Sequence, residues 1–183
     1  MTAPRILALC GSLRSGSFNR KLLDIAVAHA RALGAEVDVV EPADLSLPLY
    51  DGDVEARGLP PSVSALRERL GKAQGLIVAS PEYNSSIPGG LKNAIDWVSR
   101  PPSGLFKDKW AIIMGASPGV FGTARMQPHL RQVLSSTGAL VLPAQVHVPK
   151  AAEAFSPEGK MKDEARHKEV EALAAALVSR LKG

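Results

Sequence analysis

"GLIVASPEYNSSIPGGLKNAIDWV", Gly75 to Val98, decides the fold. Its first six residues, 75–80, form an almost unbroken apolar run, as expected of a strand covered on both faces. From Leu91 the spacing changes. Leu91, Ala94, Ile95 and Val98 recur at i, i+3, i+4 and i+7, which predicts a helix with one apolar face. Between the two lies the loop Pro81–Gly90, stiffened by Pro81 and Pro88 and loosened by Gly89-Gly90. A buried strand that passes through a loop into an amphipathic helix is one repeat of a wound α/β architecture.

The repeat recurs along the chain. Arg5–Cys10 ("RILALC") and Trp110–Ala116 ("WAIIMGA") are equally apolar and read as further central strands. Glu36–Glu41 is mixed in polarity, and Ala139–Val148 contains Pro143, which a sheet tolerates best at its edge. Helices are predicted over Asn19–Leu33, stopped by Gly34, over Ser62–Lys72, over Arg125–Ser136, and around Val170, Leu173, Ala174, Leu177 and Leu181. Pro128 should kink the fourth of these five helices or mark its first residue. Strand and helix alternate five times, so the expectation is one α/β domain over 1–183: a five-stranded parallel sheet, order 2-1-3-4-5, between two helical layers. That order places a ligand at the carboxyl ends of the first and third strands, where the winding reverses.

Bulk properties narrow the function. At 183 residues the chain can bury a substantial core. No apolar run approaches the ~20 residues of a membrane-spanning helix, and the N-terminal run is too short for a signal peptide. Cys10 is the one cysteine, which excludes an internal disulfide framework and a CxxC redox pair. The expected compartment is the cytoplasm. A net charge of +4 suits anionic ligands such as phosphates and nucleotides. The basic residues are scattered and no nucleic-acid recognition motif occurs, so neither nucleic acid nor membrane is an expected partner.

Three loops carry the polar chemistry. After the first strand comes "GSLRSGSFNR", Gly11–Arg20, with Ser12, Ser15, Ser17 and Asn19 as donors, Arg14 as a guanidinium fork, and a helix N-terminus behind them. This describes a phosphate site, though it matches neither GxGxxG nor GxxxxGK[ST]; the plainer reading is a Ser/Asn-rich helix cap beside a solvated arginine. In the second loop, Tyr83 offers an aromatic surface and Asn84 and Ser86 neutral polar groups. Glu82 would repel an electron-rich ligand and is expected to turn away into an ion pair. The third loop, Gly115–Gly122, contains Gly115-Ala116-Ser117-Pro118-Gly119, a literal GxSxG. A hydrolase elbow needs the backbone N–H after the nucleophile for its oxyanion hole, and Pro118 has none, which makes Ser117 a better ligand contact than a nucleophile. His29, His129, His147 and His167 show no triad or metal-ligand spacing. With no nucleophile, triad or metal cluster evident, the chemistry is expected to belong to a cofactor.

The segments "GSLRSGSFN", "PEYNSSIPGGLKNAIDW" and "MGASPGVFGTARMQPHLRQVL" together resemble the NADPH-dependent FMN reductase family, whose members include quinone, chromate and azo-dye reductases. The resemblance runs from about Arg5 to Val148. It implies a flavodoxin-like three-layer sandwich, FMN as cofactor, NADPH or NADH as electron donor, a small-molecule acceptor, and a homodimer or homotetramer. Carried over residue by residue, it implies that Ser12, Arg14, Ser17, Phe18 and Asn19 hold the FMN phosphate. Pro81, Glu82, Tyr83 and Asn84 would line the isoalloxazine, partly through their backbone, and Ser117 would close its other side. Pro128 stands where many members carry an aromatic and Gln145 where several carry an acid, both near the subunit contacts so implied.

Three other functions compete with this one. An electron-carrier flavodoxin would serve a partner reductase, although carriers are commonly acidic. A serine hydrolase would use Ser117, and a flavin-free phosphate-binding domain would use the first loop alone. Two further features stay open: the long segment Pro42–Pro61 flanks the site, an interface or only solvent, and Trp97, off the apolar stripe of its helix, anchors a subunit contact or shields its own core.

Overall fold

A computed structural model describes residues 2–101 and 104–183. The strands are β1 (Arg5–Cys10), β2 (Glu36–Val39), β3 (Gly75–Ala79), β4 (Trp110–Ala116), β5 (Leu140–Val141) and β6 (Val146–Val148). The helices are α1 (Phe18–Ala32), α2 (Gly52–Ala56), α3 (Pro61–Lys72), α4 (Gly89–Val98), α5 (Met126–Ser136), α6 (Ala151–Ala154) and α7 (Glu164–Lys182). All pairings are parallel, in the order β2-β1-β3-β4-β5, with β6 also on β4. This is the expected order with one strand more. Among the described residues no helix is long and apolar enough to cross a membrane.

The strands read as continuous apolar runs because alternate side chains enter two different cores. Ile6, Ala8, Cys10, Ile77, Ala79, Ile112 and Met114 pack under α1 and α7. Leu7, Leu9, Leu76, Val78, Ala111 and Ile113 pack under α3, α4 and α5. Register then fixes where the loops emerge. Cys10 lies beside Ala79, and Ala79 beside Met114, so β1 and β3 end flush and β4 runs two residues further, to Ala116, against β6. The ladder runs one residue further through Gly11 N to Ala79 O (2.8 Å) and Ser80 N to Met114 O (3.0 Å). The three polar loops therefore leave the sheet side by side.

Two expectations need correction and two open readings are decided. The predicted strand Ala139–Val148 is two strands, with Leu140 opposite Trp110 and Val146 opposite Met114. Pro143 and its neighbours leave the ladder between them, and the Arg131 guanidinium takes up the freed carbonyls of Val141, Leu142 and Pro143 at 2.8–3.2 Å. Pro128 neither kinks α5 nor begins it; it is the third residue, in the first turn, where a missing N–H costs no intrahelical bond. Trp97 is fully buried and anchors its own chain. Its Nε1 and the Asn93 amide both donate to the Pro48 carbonyl, at 2.8 and 2.9 Å, and Tyr50 packs edge-on against the indole at 5.0 Å. Those contacts strap the Pro42–Pro61 segment across α4, so it is more than a loose surface loop.

Candidate active site

The first loop is shaped by the start of α1. Ser17, in an extended conformation, caps the helix: its Oγ accepts from the amides of Asn19 (3.2 Å) and Arg20 (3.4 Å). Its own hydroxyl proton is not used by the cap, and the Cys10 sulfur lies 4.0 Å from the oxygen. Ser12 is buried and its Oγ accepts from Arg14 N at 3.3 Å, which curls the loop. Among the described residues no acceptor meets the amides of Leu13, Ser15, Gly16 and Ser17, while the Ser12 amide faces the Cys10 sulfur. The first turn of α1 contains no acid, and among the described residues no ion-pair partner meets the exposed Arg14 side chain. Two hydroxyls, a run of amides, a free guanidinium and a helix N-terminus form a donor set fitted to a phosphate dianion.

Two of the residues that the resemblance implies for that phosphate also have side-chain partners within the chain. Asn19 is buried; its Nδ2 donates to Ala116 O at 2.9 Å and its Oδ1 accepts from Ala116 N at 2.8 Å. It ties α1 to the end of β4 and brings the first and third loops together. The Phe18 ring stacks on Phe155 at 6.0 Å, so only its backbone faces the loop. Cys10 lies behind, 4.0 Å from Ser17 Oγ, where burial pushes its thiol up and keeps it neutral.

The second loop turns tightly. Tyr83 and Ser86 exchange backbone hydrogen bonds at 3.1 and 3.0 Å, with Asn84 (φ 50°) and Ser85 (φ 62°) both left-handed between them. That is a two-residue turn of the primed type, which usually recruits Asn and Gly. It holds Tyr83 at the rim, 46% exposed, over buried Pro81. Ser86 Oγ is 3.1 Å from His129 Nδ1 on α5. Glu82 does turn away, but to a helix rather than a cation. Its Oε2 accepts from the amides of Arg125 and Met126, both at 3.0 Å, and so caps α5 from another loop. The Glu82 carboxylate is thereby committed to α5.

The third loop is sewn to β6. Ser117 N donates to Val148 O, and its carbonyl accepts from Ala151 N, each at 3.0 Å. Its Oγ has only a long contact, 3.5 Å, to Gly119 O. No histidine contacts Ser117: His147 meets Gln127, His129 meets Ser86, and His29 and His167 both face Glu171. Nor is there an elbow, since α5 begins nine residues later at Met126. GxSxG here is a coincidence of spelling. Gly115 is required for another reason: a side chain on it would meet the Ser80 carbonyl and the buried Thr123 hydroxyl.

Sequence reasoning passed over Thr123, Gln127, Phe121 and Arg125. Thr123 is buried at φ 75°, rare for a β-branched residue. The fully buried Gln127 amide donates to its hydroxyl and to Val146 O, at 3.0 and 2.8 Å. These contacts fix the third loop, and no local pattern announces them. Phe121 and Arg125 form an exposed pair at the rim, the guanidinium 4.3 Å from the ring centroid.

With this geometry in hand, comparison with known proteins is direct. Residues 4–153 match the family model described as NADPH-dependent FMN reductase. The chain is 44% identical over 184 residues to an NAD(P)H-dependent FMN reductase of Pseudomonas aeruginosa, covering 98% of this chain and 97% of that one. A quinone reductase of Escherichia coli K12 is 46% identical over 143 residues, 75% of this chain and 73% of its own. Among solved structures, the flavoenzyme NAD(P)H:(acceptor) oxidoreductase FerB of Paracoccus denitrificans superposes with a TM-score of 0.84 at 32% identity, covering 98% of both chains. A chain with this sheet order, this phosphate-fitted loop and these relatives belongs to the NADPH-dependent FMN reductase family and is an oxidoreductase that uses FMN with NAD(P)H as electron donor.

Proposed function

We propose that the protein is an NAD(P)H:acceptor oxidoreductase whose three loops hold FMN and whose acceptors are quinones and free flavin, with chromate and azo dyes admitted by the same open slot. The donor set of the first loop carries this reading. Ser12 and Ser17 would donate through their hydroxyls, the unpaired amides of Leu13, Ser15, Gly16 and Ser17 would meet the same anion, and Arg14 would compensate a phosphate dianion with its fork. Bound FMN supplies the two-electron relay between donor and acceptor. Pro81, Glu82, Tyr83 and Asn84 form one wall of the ring site, chiefly through backbone, and Ser117 faces them from the third loop. Asn19 joins the walls, and Phe18 contributes its amide.

The remaining work of the chain is electrostatic. Reduction adds negative charge to the ring, and a wall of amides and neutral hydroxyls stabilises it. Glu82 assists by pointing its carboxylate at α5, away from that charge. Planar quinones suit the exposed apolar rim of Leu13, Tyr83 and Phe121, 52%, 46% and 55% exposed. The protein is taken to be one domain, cytoplasmic, and a homodimer or homotetramer.

The test is the visible absorption of the purified protein, with FMN added if required, before and after anaerobic NADPH. Flavin bands that bleach with NADPH or NADH and return with a quinone support the reading. Absence of flavin binding would sink it. Arg14→Ala should weaken FMN about tenfold or more, the order of one charge-assisted phosphate contact, read by quenching of flavin fluorescence.

A further inference from the structure

Among the described residues His129 is the one imidazole that meets a hydroxyl: its Nδ1 lies 3.1 Å from Ser86 Oγ. His147 meets the Gln127 amide, and His29 and His167 face Glu171. The pair joins α5 to the second loop at a defined place. Tyr83 and Ser86 exchange backbone hydrogen bonds at 3.1 and 3.0 Å, so they form a directly opposed antiparallel pair. Side chains of such a pair project from the same face of the turn. The Ser86 hydroxyl therefore stands beside the Tyr83 ring, on the wall assigned to the ring site. Ser86 is partly buried, whereas His129 behind it is open to water. Glu82 is the one carboxylate of the Pro81–Gly90 loop, and its Oε2 already accepts from two amides of α5. A proton for a ligand on this wall has its nearest built route through Ser86.

Quinone chemistry demands such a route. Reduction of a quinone to a hydroquinone takes two electrons and two protons. NAD(P)H supplies both electrons and one proton as a hydride equivalent, and is itself oxidised to NAD(P)+. The second proton must reach a quinone oxygen from elsewhere, and its delivery as charge builds there lowers the barrier. A hydroxyl held between that oxygen and an imidazolium delivers it without a net change of its own. The Ser86 proton passes to the quinone oxygen, the His129 Nδ1 proton passes to Ser86 Oγ, and His129 is left neutral with its proton on Nε2. Water at the exposed ring restores the imidazolium. One O–H bond forms on the quinone, one breaks and re-forms on Ser86, and one N–H bond breaks on His129.

We propose that Ser86 is a catalytic proton donor to quinone acceptors, and that His129, acting through it, is the positioning residue that replenishes and orients the proton. The inference rests on the reading of the slot as a ring site that passes electrons from NAD(P)H to quinones. Ferricyanide separates the two, because it takes electrons without a proton. In rapid mixing of the FMN-loaded protein, reduced beforehand with stoichiometric NADPH, Ser86→Ala should slow reoxidation by benzoquinone ~10²-fold, the low end of a positioned acid's contribution. Reoxidation by ferricyanide should stay within about twofold of the wild type, since no proton is moved. His129→Ala should show the same split, and added imidazole should restore part of its quinone rate but none of that of Ser86→Ala. A second readout needs no turnover. In the oxidised, FMN-loaded protein, hydroquinone should shift the His129 Nδ1 resonance in nitrogen NMR, and the shift should vanish in Ser86→Ala. Equal slowing of both acceptors in the variants, or a His129 resonance that hydroquinone leaves in place, would overturn the relay: the contact would then only pin the second loop to α5, with the electron-transfer reading intact. A wild type that passes electrons from NADPH to neither acceptor would overturn both.

Discussion

At Gly115 a methyl group would stand 2.5 Å from the Ser80 carbonyl oxygen and collide with Thr123 Oγ1, and neither neighbour can yield. The carbonyl belongs to the end of β3, and Thr123 is buried at φ 75° with its hydroxyl held by Gln127. Gly115→Ala should therefore force the second and third loops apart, costing about 1–3 kcal/mol as overpacking does. Urea unfolding would show the loss, and a lower flavin-to-protein absorbance ratio would show the widened slot. Asn19 makes the complementary case. Asn19→Ala leaves the buried N–H and C=O of Ala116 unpaired, at roughly 2–4 kcal/mol for the two groups, with FMN content falling as the first loop separates from β4. Sequence alone places Asn19 in the right loop. It does not reveal that the side chain also ties to Ala116, because that partner is 97 residues away.

Between elements, the decisive contact is Glu82 on α5. A helix begun by Arg125, Met126, Gln127 and Pro128 has no capping side chain of its own. Thr123 O takes the Gln127 amide, Pro128 offers none, and Glu82 takes the other two. Glu82→Ala should cost about 1 kcal/mol, the usual price of a lost cap, and free the 117–125 loop. Glu82→Gln keeps an acceptor and should recover most of the stability, while the loss of negative charge beside the slot shifts the flavin reduction potential upward. Redox titration would separate that shift from simple destabilisation. This scale was half legible in sequence. The strands and the long helices were, since continuous apolar runs and period 3.6 patterns are local. The split of β5 from β6 was not, because the break at Pro143 is stabilised by Arg131 from another helix. Nor was the strap over α4, since Trp97 and Asn93 find Pro48 only after the chain has folded back.

Across the whole molecule, the position of the site was legible for a reason that needs no contact. Strand order fixes the switch point, and the adjacent ends of β1, β3 and β4 bring three loops to it. Stability against pH is also a property of the whole, with opposite signs on its two limbs. On the acid side, the Arg20 and Arg69 guanidiniums hold the carboxyls of Glu41 and Asp44 below their ordinary range. Groups depressed in the folded state contribute stability above their unfolded values, ~4.3 and ~3.9, and lose it as pH falls through the folded ones. On the alkaline side, burial raises the Cys10 thiol. The folded chain then keeps a proton that the unfolded chain releases above ~8.5, so stability is full below that pH and declines above it. Lys109, lowered by burial, pulls the other way up to ~10.4, which is why a single alkaline slope does not identify the thiol. Comparing the wild type with Cys10→Ala does. Urea midpoints from pH 3 to 10 should form a plateau between about pH 5 and 8 with both limbs falling. The substitution should lower the plateau slightly, keep the acid limb, and flatten or invert the alkaline one. An alkaline limb unchanged in Cys10→Ala would mean that the thiol is not the group being titrated, and that the floor of the phosphate loop is more open to solvent than its burial implies.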